Sequence, residues 1–130
     1  MAVTLQNWVQ EGLRRDATYK RSPRMNVTAS TKTLTARQSG LVVDNLGAAG
    51  AVTISLPQEA QEGCEFTFLV KVAQELRIDP GAAGAIYLNG AKGTDDNYIT
   101  ANAISESIKV MRDSEGDWDT IGEEGTWTTE

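Results

Sequence analysis

The chain has no histidine and one cysteine, Cys64, in 130 residues. Without histidine there is no Ser-His-Asp or Cys-His nucleophile pair and no His-ligated zinc or haem. A single cysteine excludes an intramolecular disulfide and every Cys-x-x-Cys metal or redox site. Long apolar runs are missing too. None nears the roughly 18 residues that a membrane span requires, and the N-terminus lacks the apolar stretch of a signal peptide. The expectation is a soluble protein, away from membranes, that folds in a reducing cytoplasm. Aromatic residues are scarce, and only Trp8 and Tyr19 precede Phe66.

Positive charge is scarce beyond the first thirty residues. That stretch holds Arg14, Arg15, Lys20, Arg21 and Arg24 against Glu11 and Asp16, a balance of +3 within a net charge of -6. The remaining hundred residues therefore carry -9, and from Asp113 to Glu130 there are seven acids and no base. Such an acidic body repels a phosphate backbone, so no nucleic-acid partner is expected.

What is present fits one domain. Folding a chain of this size buries roughly two-thirds of its unfolded surface, enough for a core without a staple. Two regimes meet near residue 30. Before it, Leu5, Trp8, Val9 and Leu13 recur at helical spacing, with Thr4 as an N-cap, and predict one short amphipathic helix. The stretch from Arg14 to Arg24 has no periodicity and ends at Ser22-Pro23, as an extended linker would. Residues 1–30 are expected to be an arm and residues 31–130 a β-domain.

From Met25 onward the pattern has period two. Val52, Ile54 and Leu56 alternate with Thr53 and Ser55, and Cys64, Phe66, Phe68, Val70 and Val72 share one face. Leu76 with Ile78, Ile86 with Leu88, Ile108 with Val110, and Trp118 to Ile121 continue it. Turn signals separate them, among them Asp79-Pro80-Gly81, Asn89-Gly90 and Ser114-Glu115-Gly116-Asp117. Short strands at about ten-residue spacing predict an all-β fold, a small antiparallel β-sandwich or barrel of jelly-roll type. No ten-residue helical stretch intervenes, which argues against βαβ units. One echo stands inside the pattern. Gly47-Ala-Ala-Gly-Ala-Val52 and Gly81-Ala-Ala-Gly-Ala-Ile86 agree at all but the last position, and a shared hairpin turn is expected to explain them.

Sites for chemistry are few. GAAGAV is not GxGxxG and no helical segment follows either copy, while Gly90-Ala-Lys-Gly-Thr94 has the letters of a phosphate loop in the wrong order. Asp113, Glu115, Asp117, Asp119 and Glu124 are spaced like calcium-loop ligands, but Trp118 stands where that loop needs glycine. The segment reads better as a hairpin turn with Asp117 and Asp119 on the solvent side of a strand. Carboxylates are plentiful, yet nothing singles out two for glycoside hydrolysis. No catalytic residue, metal or cofactor is assigned. Trp118 and Trp127 suit core packing better than a sugar-stacking platform.

Several motifs in order carry a resemblance. They are Leu34-Thr-Ala-Arg-Gln-Ser-Gly-Leu-Val-Val43, Gly50-Ala-Val-Thr-Ile-Ser-Leu-Pro57, Gly63-Cys-Glu-Phe-Thr-Phe-Leu-Val70, Leu76-Arg-Ile-Asp-Pro80, and the ending Gly116-Asp-Trp118 with Gly125-Thr-Trp127. Residues 33–128 thereby resemble small β-modules of tailed-bacteriophage virion proteins, found in capsid decoration (cement) proteins, head fibres and tail-fibre ends. The resemblance implies a homotrimeric, non-enzymatic structural protein of the virion, assembled in the host bacterial cytoplasm. A free-standing chain this short suits a decoration protein, whose partner is the major capsid protein of the head. The alternative is a receptor- or carbohydrate-binding fibre module that uses Trp118 or Tyr98 for stacking. The arm lies outside the match. Leu5, Trp8, Val9 and Leu13 are expected to dock on the capsid as an apolar face, with Arg14, Arg15, Lys20, Arg21 and Arg24 meeting its acidic groups.

Overall fold

A computed structural model describes residues 23–130. Within them the chain is almost entirely β, and a single 3-10 turn at Ala36–Gln38 is the only helical element. Successive strands alternate between two sheets. β1 (Arg24–Asn26), β3 (Val42–Asp44) and β5 (Glu65–Leu69) lie parallel in the first sheet. β2 (Thr31–Thr33), β4 (Val52–Ser55) and β6 (Leu76–Asp79) lie parallel in the second. The pairs β1–β2, β3–β4 and β5–β6 are thus three coils of a flattened parallel winding. Neighbours in register, such as Arg24 with Val42, Thr31 with Thr53, Val42 with Thr67 and Val52 with Leu76, are 18 to 25 residues apart in the chain.

The second half reverses direction. β7 (Tyr87–Leu88) and β8 (Ala91–Lys92) make a small hairpin. β9 (Ile99–Ala101) then pairs antiparallel with β6, and β10 (Ser107–Arg112) antiparallel with β5. β11 (Trp118–Glu124) and β12 (Thr128–Thr129) finish the sheets, giving the orders β1-β3-β5-β10-β11 and β2-β4-β6-β9-β12.

Alternation drives the core. In β4 and β6 every second side chain is buried, and in β5 Phe66 and Phe68 go in while Glu65, Thr67 and Leu69 face out. Val43, Phe66, Phe68, Ile108, Val110 and Trp118 of the first sheet join Val52, Ile54, Leu76, Ile78 and Ile99 of the second in one cluster. Each such side chain contributes about 1.5–3 kcal/mol by leaving water. Trp118 packs on Phe66 with ring centroids 6.1 Å apart, so the two halves of the chain share that core.

Three expectations need correction. The sheets are mixed, not wholly antiparallel. A parallel neighbour needs a long crossover, but that crossover can run as a strand of the opposite sheet and requires no helix. The arm does not extend to residue 30, because Arg24–Asn26 is the outer strand of the first sheet; the short helix and linker expected before it lie outside the described residues. The paired GAAGA segments are not hairpins. Each carries the chain from one sheet to the other, the first from β3 to β4 and the second from β6 toward Ile86, which bridges Trp118. Each is preceded by an aspartate turn at a different offset: Asp44, three residues before Gly47, accepts from the Leu46 N–H at 3.0 Å, and Asp79, two before Gly81, accepts from the Gly81 N–H at 2.8 Å. Gly47 and Gly81 both sit near φ +88° and +87°, and a Cβ on Gly81 would collide with the Gln58 amide.

Candidate functional site

Of the nine residues expected to dock on a partner, Leu5, Trp8, Val9, Leu13, Arg14, Arg15, Lys20 and Arg21 lie outside the described residues. Arg24 is described and already has a partner within the chain. It stands on β1 and donates from Nη2 to Oδ2 of Asp44 at 2.7 Å, an acid of its own chain that is only 5% exposed. Asn26 Nδ2 donates to Asp44 Oδ1 at 2.8 Å and to the Leu46 carbonyl at 2.7 Å. Burial opposes the charge on Asp44, but the Asn26 amide, the Leu46 N–H and the Arg24 guanidinium outweigh it and hold the carboxyl below its usual value. This cluster locks the outermost coil to the next one.

Other polar side chains do similar work. Asn45 is fully buried; its Oδ1 accepts from the N–H groups of Lys71 and Val72 at 2.7 and 3.1 Å. Its Nδ2 donates to the carbonyls of Val72 and Gln74 at 3.3 and 3.4 Å, so one amide fastens the corner between β5 and β6. Gln58 fastens the next corner by donating to the Pro80 carbonyl at 2.8 Å. In the second half Glu106 accepts from the N–H groups of Thr126, Ala103 and Asn102 at 2.8, 2.9 and 3.2 Å. The Thr126 N–H is the main reason its carboxyl lies below the usual range. Glu75 is likewise lowered, first by Arg77 at 2.7 Å and then, against some desolvation, by the Thr100 hydroxyl.

Asp117 departs from its expected place on the solvent side. The turn itself is as read: Asp113 donates its N–H to the Asp117 carbonyl and accepts from the N–H groups of Glu115 and Asp117. The Asp117 side chain, however, is 6% exposed, accepts from the Ala85 N–H at 3.0 Å and faces Lys92 Nζ at 3.4 Å. It ties the β7–β8 hairpin to β11, and hydrogen bonding to it raises the Lys92 pKa. Among the described residues no group of three or more His, Cys, Asp or Glu side chains is placed to hold a metal ion. Cys64 is buried, and burial pushes its thiol up, away from the reactive thiolate.

The aromatic side chains leave little surface for stacking. Trp118 and Trp127 are 0% and 1% exposed, and Trp127 donates its Nε1–H to the Ser107 carbonyl at 3.0 Å. Both pack in the core. Tyr98 carries the Arg77 guanidinium over its ring at 5.1 Å, so that face is already covered.

The remaining features are two unlike ends. At one, β1 and β2 are the outermost strands. Pro23 and Val27 bond toward β3, and Ser30 and Leu34 toward β4. Alternation therefore turns the backbone groups of Arg24, Asn26, Thr31 and Thr33 outward. Sequence reading missed this edge because Thr31, Lys32 and Thr33 are all exposed and show no apolar alternation. At the other end, β11 carries Asp119, Glu123 and Glu124 along the border of the first sheet. Comparison with protein-family models yields no match, and comparison with curated proteins yields none either.

Proposed function

We propose that this is a non-enzymatic virion structural protein: a capsid decoration protein that binds the assembled phage head and stabilises the shell. What carries the reading is the ordered set of motifs that resembles phage virion modules, and the ionisable groups of the fold are compatible with a structural role. Asp44, Glu75 and Glu106 are all held below their usual values by partners within the same chain. Carboxylates tuned this way stay ionised and fasten corners and strands. The motifs that resemble phage virion modules supply the identity of the target, and the same resemblance supports a homotrimer on the capsid surface. The fibre-tip reading is less favoured, since Trp118 is buried and Tyr98 is capped by Arg77.

In this reading the major capsid protein is the partner, and the chain preceding β1 makes the first contact. Burial of Trp8, Leu5, Val9 or Leu13 against the capsid supplies about 1.5–3 kcal/mol per side chain. An exposed pair made by Arg14, Arg15, Lys20 or Arg21 supplies about 0.2–1 kcal/mol and weakens with salt. Binding only the assembled lattice stabilises it in proportion to the logarithm of occupancy.

Co-sedimentation with purified heads and, separately, with tails tests this. The full chain is expected to pellet with heads, Trp8→Ala to lose more occupancy than Arg14→Ala, and deletion of residues 2–22 to abolish binding while the β-body stays folded. Full occupancy by the truncated chain would put docking on the β-body, and binding to tails alone would sink the decoration reading.

A further inference from the structure

The two ends of the β-body differ in charge as well as in backbone pairing. From Pro23 to Val43 the chain carries Arg24, Lys32 and Arg37, of which Arg24 is paired with Asp44, whereas from Asp113 to Glu130 it carries seven acids and no base. At the basic end a cleft of about 260 Å³ is lined by Met25, Asn26, Val27, Thr28, Ala29 and Lys32. At the acidic end a cleft of about 490 Å³ lies along β11 and the β7–β8 hairpin, lined by Tyr87, Asp119 and Glu123 among others. On that same strand Ile121 is 49% exposed, a large apolar side chain on an otherwise polar edge.

We propose that these ends meet between copies of the chain. The outermost coil of one copy docks on β11 of the next. Lys32 enters the cleft at Asp119 and Glu123, and Ile121 seats against Met25 and Ala29 in the mixed cleft beside Lys32. Each end thus offers what the other lacks, a cation for two carboxylates and the Met25 and Ala29 side chains for an exposed isoleucine. Lys32 also fits the way natural edges are guarded: a lysine on an exposed strand discourages indiscriminate pairing. It admits a partner that brings an acid, so specificity comes from a repulsive element as well as an attractive one. The contact joins two different surfaces, which is the kind of interface a three-fold ring requires. The inference rests on the homotrimer in the proposed function and assigns the surfaces that would build it.

Sedimentation velocity on the full chain tests it. The wild type is expected to run as three chains, with association weakening as salt rises. Lys32→Glu and Glu123→Lys should each weaken association roughly tenfold or more, because like charges then face each other across the contact. Combining the two reversals in one chain should restore it. Ile121→Lys should also dissociate the ring, with the far-UV circular dichroism spectrum unchanged in every variant. Deleting residues 2–22 should leave the trimer intact; if the trimer is lost, that segment holds the copies together and the inference fails. It fails too if both single reversals keep the mass of three chains, or if the wild type runs as one. Head binding is scored separately. A single-chain species that still decorates heads would overturn this contact and the trimer with it, and leave the decoration role standing. A ring that dissociates as described but ignores heads would do the reverse.

Discussion

Residues 24–79 and residues 85–130 build the same two sheets by different means. In the first stretch every paired neighbour lies a full coil away, so each strand waits for distant chain before it is bonded. In the second, β10 and β11 follow one another across a short turn, and β7 and β8 across Asn89-Gly90. Both residues of that turn have positive φ, at 56° and 79°, as the tightest hairpin turns require. The devices that fasten them differ accordingly. Coils are held at corners by side-chain amides, Asn45 and Gln58, each serving backbone groups of the following coil. The antiparallel half is held by carboxylates, Glu106 and Asp117, that accept backbone N–H groups from neighbouring turns. Because β9 and β10 pair on β6 and β5, the second half closes one end of the winding and leaves β1 and β2 at the other.

The sharpest challenge to a two-part description is the core that both parts share. Phe66 lies in the coils and Trp118 in the antiparallel half, yet their rings pack together. Replacing either with alanine should cost about 3–5 kcal/mol. The two substitutions combined should cost less than their sum, since the sites touch. Urea unfolding followed by circular dichroism and tryptophan fluorescence checks this; two separate transitions would mean that the halves fold independently.

A local break should fall on one half alone. Asn45→Ala strands the Lys71 and Val72 N–H groups and is expected to cost about 1–3 kcal/mol. Hydrogen exchange should quicken at the β5–β6 corner and stay unchanged in the β10–β11 hairpin. Equal loosening in both would erase the distinction between them.

Acid should loosen both halves, through different residues. Asp44 and Glu75 in the coils and Glu106 in the antiparallel half all hold protons less tightly when folded. Their contribution is complete above the ordinary values of 3.8 for Asp and 4.5 for Glu, and it drains away as pH falls below these toward the folded values. Thermal melting through that range should show stability falling with pH, and Glu106→Gln should make the fall shallower. The smallest effect belongs to the half-exposed pair of Glu75 and Arg77, where Arg77→Ala should shift stability by about 1 kcal/mol or less.

The two halves were not equally legible in the sequence. The alternation of Phe66 and Phe68, of Leu76 and Ile78, and of Ile108 and Val110 marked β5, β6 and β10, and Asn89-Gly90 marked the hairpin. The outer strands escaped because β1 and β2 have three residues each and β2 has no buried face. Parallel pairing escaped for a different reason: period two tells which side chains face inward and says nothing of which strand lies alongside. The GAAGA echo was real, and both copies make sheet-to-sheet corners. Asp44 and Asn45 gave a faint signal, two polar residues directly after Val42-Val43. Their role depends on Arg24, Asn26 and the 71–74 corner, contacts between residues far apart in the chain. Likewise Asp117 alternates outward by position, but the N–H of Ala85 and the amine of Lys92 draw it in.

The proposed role in the virion is tested most directly by calorimetry on phage heads, melted with and without the purified protein. A decoration protein that binds only the assembled lattice must raise the temperature at which the shell comes apart, and the rise must grow with the logarithm of free protein once sites begin to fill. Heads that melt at the same temperature at every protein concentration would contradict it.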